Sequence, residues 1–289
     1  MQPHVTQRLT AHEIADAAVW ALREEALLTP KPALVDQRGN GAHPDMDLPM
    51  LLRSATALHS TFVRVADCAA GMPFGVAMRE QLVAIGRAGE AHMLAATNAI
   101  NTHRGAVWAL GLLAAATAIT DSAEFAQFDP AEICILAGFI AQLPAADTLQ
   151  PSHGRTVFLR HGARGARGEA EDGFPHLRHI ALPALRAARE RFGDESLARL
   201  HTLITLMASV EDTCLLFRGG RSALAVARRG ASCVLAAGVD TPLGGVELDR
   251  LDRRLLGMNA SAGGCADLLA ATLFLDRLMA IKGAIHGNA

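Results

Sequence analysis

Residues 105–120 read GAVWALGLLAAATAIT, and this stretch of 16 residues carries no charged side chain. Alanine and leucine dominate it, which favours an α-helix. The stretch is shorter than the roughly 20 apolar residues that cross a bilayer, so we expect a buried central helix. The same helical periodicity recurs on both sides of it, whereas alternating strand patterns are nearly absent. The sequence therefore predicts an all-α protein.

The bulk composition indicates a compact protein. Of 289 residues, 51% are hydrophobic and 19% are charged, and the formal net charge is -2. No global field draws such a chain to nucleic acid or to an anionic membrane. Five scattered cysteines without a C-x-x-C pair fit reduced thiols, and the first residues lack the apolar run of a signal peptide. We expect a cytoplasmic protein with neither nucleic-acid nor membrane partners.

Helical periodicity predicts eleven helices in one multi-helix domain over residues 1–289. They are 8–28, 48–70, 76–97, 103–120, 130–142, 178–191, 195–210, 213–218, 221–236, 246–257 and 263–281. Five polar, glycine-bearing segments interrupt them, at 29–47, 97–105, 151–175, 211–220 and 259–269. Long loops in a compact helical domain are usually functional. We expect these Gly/Pro-rich polar loops to converge on one cleft.

The first segment, TPKPALVDQRGNGAHPDMD at 29–47, combines a lysine held between two prolines with several acids. Lys31 could meet phosphate oxygens while Asp36 and Asp45 serve a Mg²⁺-nucleotide site. Asp47 more simply caps the helix that starts at Leu48. Just upstream, Glu25 falls on the apolar stripe of its helix, which indicates either a functional carboxylate or a structural salt bridge.

The segment TNAINTHRG at 97–105 precedes the central helix. Thr102 is the expected N-cap, with Asn101 closing the turn. His103 and Arg104 then stand at a helix N-terminus, where free N–H groups and the helix dipole favour an anion. We expect a phosphate contact here, with ordinary capping as the alternative.

Segment 151–175 is the most charged of the five. Arg164 and Arg167 among flexible glycines would suit a triphosphate, and Glu169 could add a metal ligand. His153 belongs to the same segment. The alternative is a solvated loop whose charges neutralise one another.

The last two segments add further candidates. Asp212 is predicted to bind a metal or a ribose, whereas Arg218 before Gly219-Gly220 could bind a ligand or simply end a helix. Ser261 is the expected N-cap of the final helix. Gly263 and Gly264 leave its first turn bare for a phosphate or ribose, or for close helix packing. Asp267 could orient a ligand or favour the helix N-terminus.

Taken together, TPKPALVDQRGNGAHPDMD, NTHRGAVWALGLL, SHG, GARGEAEDGFP, DTC…RGG and SAGGCADLLAATLFL resemble the triphosphoribosyl-dephospho-CoA synthase family, in the same order and from about residue 13 to 278. The variants TPKPALVD, SHG and DTC are closer to the malonate decarboxylase branch than to the citrate lyase branch. The chain departs from the family pattern at Asn98-Ala99, where Gly-Gly is common, at Ala262, where proline is common, and at His161, where tyrosine is usual.

The resemblance implies transfer of the triphosphoribosyl group of ATP to the ribose 2′-hydroxyl of 3′-dephospho-CoA, with release of adenine. The product is the precursor of the prosthetic group on an acyl carrier protein subunit, to which a prosthetic-group transferase attaches it.

The implied reaction passes through an oxocarbenium-like transition state and needs a carboxylate base, for which the candidates are Asp36, Glu169 and Glu25. It also needs a proton donor to adenine, for which the candidates are His43 and His103. The expected substrate-binding residues are Lys31, Asn101, Arg104, His153, Arg164, Arg167, Arg218, Ser261, Gly263 and Gly264. Mg²⁺ is expected on Asp45, Glu169 or Asp212.

Two alternatives use the same segments differently. A metal-dependent all-α hydrolase of nucleotide or ADP-ribosyl substrates would direct water at the sugar carbon. A helical chaperone for the apo carrier subunit would bind that subunit without turning over a nucleotide.

Overall fold

The computed structural model describes residues 8–122, 128–145 and 153–287. Within these ranges the chain is helical and contains no β-strand; one isolated bridge pairs Asp36 with Gly39. The all-α prediction is confirmed. The helices are α1 (Ala11–Leu27), α2 (Leu48–Ala57), α3 (His59–Gly71), α4 (Val76–Ala96), α5 (Arg104–Ser122), α6 (Pro130–Gln142), α7 (His153–His161), α8 (Gly165–Glu171), α9 (Leu182–Phe192), α10 (Glu195–Ser209), α11 (Thr213–Ala237), α12 (Pro242–Gly257) and α13 (Gly263–Gly287). One π-helical turn, Leu177–Ala181, leads into α9.

Helix α5, which contains residues 105–120, lies at the centre of the packing. It contacts α1, α3, α4, α6, α8 and α13. Leu110, Leu113 and Ala114 are fully buried on it, as expected for a helix that is apolar on every side. The remaining helices surround it and form one main hydrophobic cluster.

Side-chain caps fix several helix starts, among them the predicted Asp47 cap of α2. Thr10 and Glu13 form a reciprocal capping box on α1, with Glu13 N donating to Thr10 Oγ1 over 3.1 Å. Asp47 caps α2 by accepting from Met50 N at 2.8 Å. The predicted break at Gly219-Gly220 is a kink inside α11, where Gly220 has φ 62° and ψ -162°, a backbone conformation that favours glycine.

The structure corrects three predicted boundaries. The helix expected at 48–70 is two helices separated by a turn at the fully buried Leu58 (φ -84°, ψ -9°), whose N–H donates to the Ala55 carbonyl three residues earlier. Helix α12 begins at Pro242, four residues earlier than expected, because Thr241 caps it and proline suits the first turn. In the segment expected to be a loop, 153–161 and 165–171 are α7 and α8, since α7 packs on α11 and α8 packs on α6.

A small second cluster anchors the 29–47 segment. Val35 and Met46 pack against Ala26 of α1 and Leu51 of α2. The segment is therefore fixed at the ends of two helices. Among the described residues no single helix is long and apolar enough to cross a membrane; only the bent pair Glu195–Ser209 and Thr213–Ala237 satisfies length and composition together.

Candidate functional site

The 29–47 segment is organised by Asp36. Its buried carboxylate accepts hydrogen bonds from Lys31 N (2.8 Å), Arg38 N (2.8 Å) and Arg38 Nε (2.9 Å). Asp252 of α12 holds the same loop by accepting from Ala33 N at 2.6 Å. Three donors occupy the carboxylate that the sequence predicts as a base, so Asp36 stabilises the loop that carries Lys31.

Lys31 and Glu25 form a buried ion pair. The Lys31 side chain is 1% exposed, and its Nζ lies 2.6 Å from Glu25 Oε1 and 2.8 Å from the Glu25 carbonyl oxygen. The salt-bridge interpretation of Glu25 is therefore the one that the structure shows, with Lys31 as its partner. This pair holds the end of α1 against the loop.

Three segments meet through a relay of hydrogen bonds at His43. Arg218 of α11 donates to His43 Nδ1 (2.9 Å) and to the Ala42 carbonyl (3.1 Å), and His43 Nε2 lies 2.7 Å from Ser261 Oγ. Because Nδ1 accepts from Arg218, the proton of a neutral ring sits on Nε2 and is donated to Ser261. Ser261 thus binds His43 and not the N-terminus of α13, which leaves its hydroxyl hydrogen free for a ligand.

The turn before α5 differs from the predicted cap. Asn101 Oδ1 accepts from Arg104 N at 3.2 Å, whereas the Thr102 hydroxyl contacts Ser54 at 2.6 Å. Ser54 also lies 2.7 Å from His103 Nδ1. The other ring nitrogen, His103 Nε2, is buried without a hydrogen-bond partner in the described part of the chain, so it is available to a bound molecule.

Both of these imidazoles are uncharged near neutral pH. Burial and the nearby Arg218 lower the pKa of His43 to about 4, against a smaller opposite effect of Asp45. Burial and the Lys31 charge likewise lower the pKa of His103 to about 4. Each ring therefore exchanges hydrogen bonds in this structure and is not an imidazolium acid at pH 7.

Asp212 joins the starts of two helices. Its Oδ1 accepts from Cys214 N (2.7 Å) and Leu215 N (3.1 Å) at the start of α11, and its Oδ2 accepts from Cys265 N (2.8 Å) in α13. A Cβ added at Gly264 would lie 3.1 Å from the same Oδ2. Gly264 is therefore required here for close packing, and the Asp212 carboxylate is already occupied by three N–H groups.

Asp267 is the carboxylate that stands apart from these. It accepts no hydrogen bond from any described residue. Its Oδ2 lies against Gly105, where an added Cβ would overlap it, so it faces the start of α5. Burial, with the Glu25 and Asp212 carboxylates nearby, raises the pKa of Asp267 well above its usual range. From the sequence, Asp267 was predicted to orient a ligand or to favour the helix N-terminus, and it was not among the candidate bases. Its position one turn after Gly263 and Gly264, at the start of α13, was the feature that pointed to it.

The most charged segment is largely paired within itself. Arg164 contacts Glu171 (3.0 Å) and Asp172 (2.7 Å), and Arg167 contacts Glu171 (2.8 Å). Glu169 accepts from His176 N at 2.8 Å and lies 2.6 Å from His176 Nδ1. These contacts match the alternative in which the charges of the segment neutralise one another.

Three predicted phosphate contacts do come together. The ring of His153 stacks on Phe217, with centroids 3.8 Å apart, and the pKa of His153 is lowered by burial and by the charges of Arg104 and Arg218. Arg104 also lies 3.0 Å from Glu90. We call Arg104 and Arg218, which carry the positive charge, together with the His153 ring the first cation cluster.

Contacts between segments join all five of them. His43 contacts both Ser261 and Arg218, and Gly105 lies against Asp267. Gly165 at the start of α8 packs on Thr213, whose Cγ2 would lie 2.5 Å from an added Cβ. The three predicted metal ligands, Asp45, Glu169 and Asp212, do not share one site: no group of three His, Cys, Asp or Glu side chains in the described ranges is placed to hold a metal ion. Glu169 and Asp212 are held by other partners, while Asp45 is exposed.

Comparison with known proteins gives one consistent result. Residues 11–285 match the family model of ATP:dephospho-CoA triphosphoribosyl transferase. Similar proteins, each named probable 2-(5''-triphosphoribosyl)-3'-dephosphocoenzyme-A synthase, come from Pseudomonas syringae pv. syringae (47% identity, 96% of each chain), Azotobacter vinelandii (47% identity, 96% of this chain and 95% of the relative) and Pseudomonas aeruginosa (49% identity, 95% and 94%). No solved structure matches the chain. The protein is a transferase, and it belongs to the ATP:dephospho-CoA triphosphoribosyl transferase family.

Proposed function

We propose that this protein transfers the triphosphoribosyl group of ATP to the ribose 2′-hydroxyl of 3′-dephospho-CoA and releases adenine. One observation carries the proposal beyond the family match. The unpartnered carboxylate of Asp267 lies at the joined starts of α5 and α13, and Arg104 of the first cation cluster begins that same α5. A polyanion held by the cluster would bring its sugar carbon to a free carboxylate.

The chemistry asks for a base beside the attacking hydroxyl. The bond between C1′ and adenine breaks and a new bond forms between C1′ and the 2′-oxygen. The base takes the hydroxyl proton, and this loss balances the one proton that the departing adenine gains. Asp36, Glu169 and Glu25 each bind protein groups, whereas Asp267 accepts no hydrogen bond within residues 8–122, 128–145 and 153–287. Because the pKa of Asp267 is raised by burial, this carboxylate is a better proton acceptor than an ordinary aspartate. We therefore assign the base role to Asp267.

Other residues position the reactants. Arg104, Arg218 and His153 hold the triphosphate, and the Ser261 hydroxyl, oriented by His43, donates to a phosphate or ribose oxygen. His103 Nε2, which has no protein partner, contacts the departing adenine. The triphosphate is bound and not cleaved.

Mg²⁺ fits this arrangement as a partner of ATP. Magnesium usually takes one or two carboxylates and completes its shell with phosphate oxygens and water. The exposed Asp45, two residues after His43, can supply such a carboxylate. The ion would neutralise part of the triphosphate charge.

The test is an incubation of the purified protein with ATP, MgCl₂ and 3′-dephospho-CoA, analysed by mass spectrometry. We expect a product whose mass is the sum of both substrates less adenine, with one adenine per product. Phosphate or ribose triphosphate released without that product would favour the hydrolase instead.

We further propose that the product serves the acyl carrier protein of a malonate decarboxylase in the cytoplasm. The TPKPALVD, SHG and DTC motifs support that branch over citrate lyase. Intact-mass measurement of each apo carrier, incubated with the product and its own prosthetic-group transferase, tests the branch. Faster modification of the citrate lyase carrier would contradict it.

A further inference from the structure

Arg79 of α4 is a buried cation that no anion in the described part of the chain neutralises. Arg79 is 6% exposed. Among the described residues, its Nε has no hydrogen-bond partner and no acidic side chain forms an ion pair with it. The two buried lysines differ: Lys31 faces Glu25, and Lys282 faces Asp121. Burying a charge without a partner is costly, so a ligand anion is the natural partner of Arg79.

The surroundings of Arg79 suit a phosphate group. Its guanidinium lies 5.0 Å from the ring centroid of Trp108 in α5, and Trp108 Nε1 donates to the Ala166 carbonyl of α8 over 3.3 Å. A second cation, Arg167 of α8, lies close enough for its charge, added to burial, to lower the pKa of Arg79. The Arg167 side chain is 70% exposed and bonds only one oxygen of Glu171.

Arg79 and Arg167, which we call the second cation cluster, lie beside the first cation cluster. Trp108 follows Arg104 by four residues on α5, so both lie on one face of that helix, about 6 Å apart along its axis. The proposed reaction, on which this inference rests, brings together two polyanions: the triphosphate of ATP and the diphosphate of 3′-dephospho-CoA. Two adjacent cation clusters match two phosphate chains whose two riboses are joined by the reaction.

We propose that Arg79 and Arg167, beside Trp108, form a second phosphate-binding subsite, and that it takes the diphosphate of 3′-dephospho-CoA. Arg104, Arg218 and His153 then remain for ATP. The diphosphate supplies the negative charge that Arg79 lacks within the protein.

The test compares wild type with Arg79→Gln and Arg167→Gln by calorimetric titration with 3′-dephospho-CoA and, separately, with ATP and Mg²⁺. We expect each variant to weaken 3′-dephospho-CoA binding at least tenfold and to leave ATP affinity within twofold. The control is Arg229→Gln, an exposed arginine of α11, which should change neither. A loss of ATP affinity in place of 3′-dephospho-CoA affinity, or no change in either, would overturn the assignment.

Thermal unfolding of the ligand-free protein separates binding from structure. Because Arg79→Gln removes an unneutralised buried charge, its Tm should equal or exceed that of wild type. A large fall in Tm with unchanged 3′-dephospho-CoA affinity would make Arg79 a packing residue only. If the variants lose 3′-dephospho-CoA affinity while wild type releases no adenine, the subsite stands and the proposed reaction fails.

Discussion

At the scale of single residues, what distinguishes the acids of the site is which groups they already bind. Asp36 accepts three hydrogen bonds, Asp212 accepts three, and Glu169 is held by His176. Asp267 has no such partner. A carboxylate that folding leaves unsatisfied is the group most able to change its protonation during a reaction.

Asp267→Asn should therefore abolish turnover while the protein stays folded. Asparagine has the same shape but cannot accept the hydroxyl proton, so we expect kcat to fall by about 10²–10⁴-fold, the usual contribution of a general base. Adenine release by liquid chromatography measures it. The control, Asp249→Asn on the exposed face of α12, should retain full activity; full activity of Asp267→Asn would return the role to Asp36, Glu169 or Glu25.

Lys31 can be separated from Glu25 by paired substitutions. Lys31→Met leaves the Glu25 carboxylate buried alone and should lower the free energy of unfolding by about 3–5 kcal/mol. Adding Glu25→Leu should restore most of that loss in urea titrations. If Lys31 also contacts the triphosphate, the stable double variant will bind ATP poorly; wild-type ATP affinity in it would make the pair purely structural.

At the scale of elements, α5 offers two glycines with opposite surroundings. An added Cβ at Gly105 overlaps the Asp267 carboxylate, whereas Gly111 has nothing within 4 Å. Alanine at either position should favour the helix by roughly 0.5–1 kcal/mol before any clash. The two positions thus test how closely the start of α5 approaches Asp267.

We expect Gly105→Ala to lower kcat/KM at least 100-fold, because Asp267 must move away from the sugar. Gly111→Ala should keep activity and gain stability. Steady-state kinetics and urea midpoints of both variants make the comparison. Equal activities would show that the Asp267 position is not critical.

Helices were predicted correctly where a local sequence signal determines them, and were missed where tertiary packing determines them. Apolar periodicity located α1 and α5, Asp47 located the start of α2, and the Gly219-Gly220 pair located the kink in α11. The sequences of α7 and α8 are rich in glycine and charged residues, which is typical of loops, and packing against α11, α6 and α5 stabilises them as helices. Asn98 and Ala99, where the family commonly has glycines, both adopt positive φ (53° and 65°), a conformation that glycine takes more easily.

At the scale of the whole molecule, buried histidines should make the fold sensitive to acid. The pKa of His103 is about 4 in the fold and near 6.5 in an unfolded chain. Between these values the unfolded chain binds a proton that the folded chain excludes, so stability falls as pH falls. The pKa of His43, also about 4, acts in the same direction.

From pH 7.5 to pH 5, His103 should cost about 2 kcal/mol of unfolding free energy. His103→Asn should remove that part of the pH dependence, whatever its effect on stability at pH 7.5. Urea titrations at both pH values measure it, with His92→Asn on the exposed face of α4 as the control. Identical pH dependence in wild type and His103→Asn would contradict the buried neutral ring.

The sequence was informative about which segments matter and less so about which atoms in them are free. Composition and glycine placement marked all five segments, and contacts such as His43 with Ser261 join them. Whether the Lys31 side chain faces a ligand or Glu25 depends on how the two side chains are oriented in the folded chain, which hydrophobic periodicity does not encode. The same holds for Arg79, whose missing partner is visible only in three dimensions.

The carboxylate of Asp212 has a consequence for inhibitor design. By binding N–H groups of both α11 and α13, it fixes the spacing of two helix ends before any substrate arrives. A site that is already ordered before binding loses little conformational entropy when a ligand binds. Rigid ligands that match its shape therefore bind more tightly than flexible ones. Bisubstrate mimics with a short rigid bridge between their two phosphate arms should therefore bind more tightly than flexible ones of equal charge.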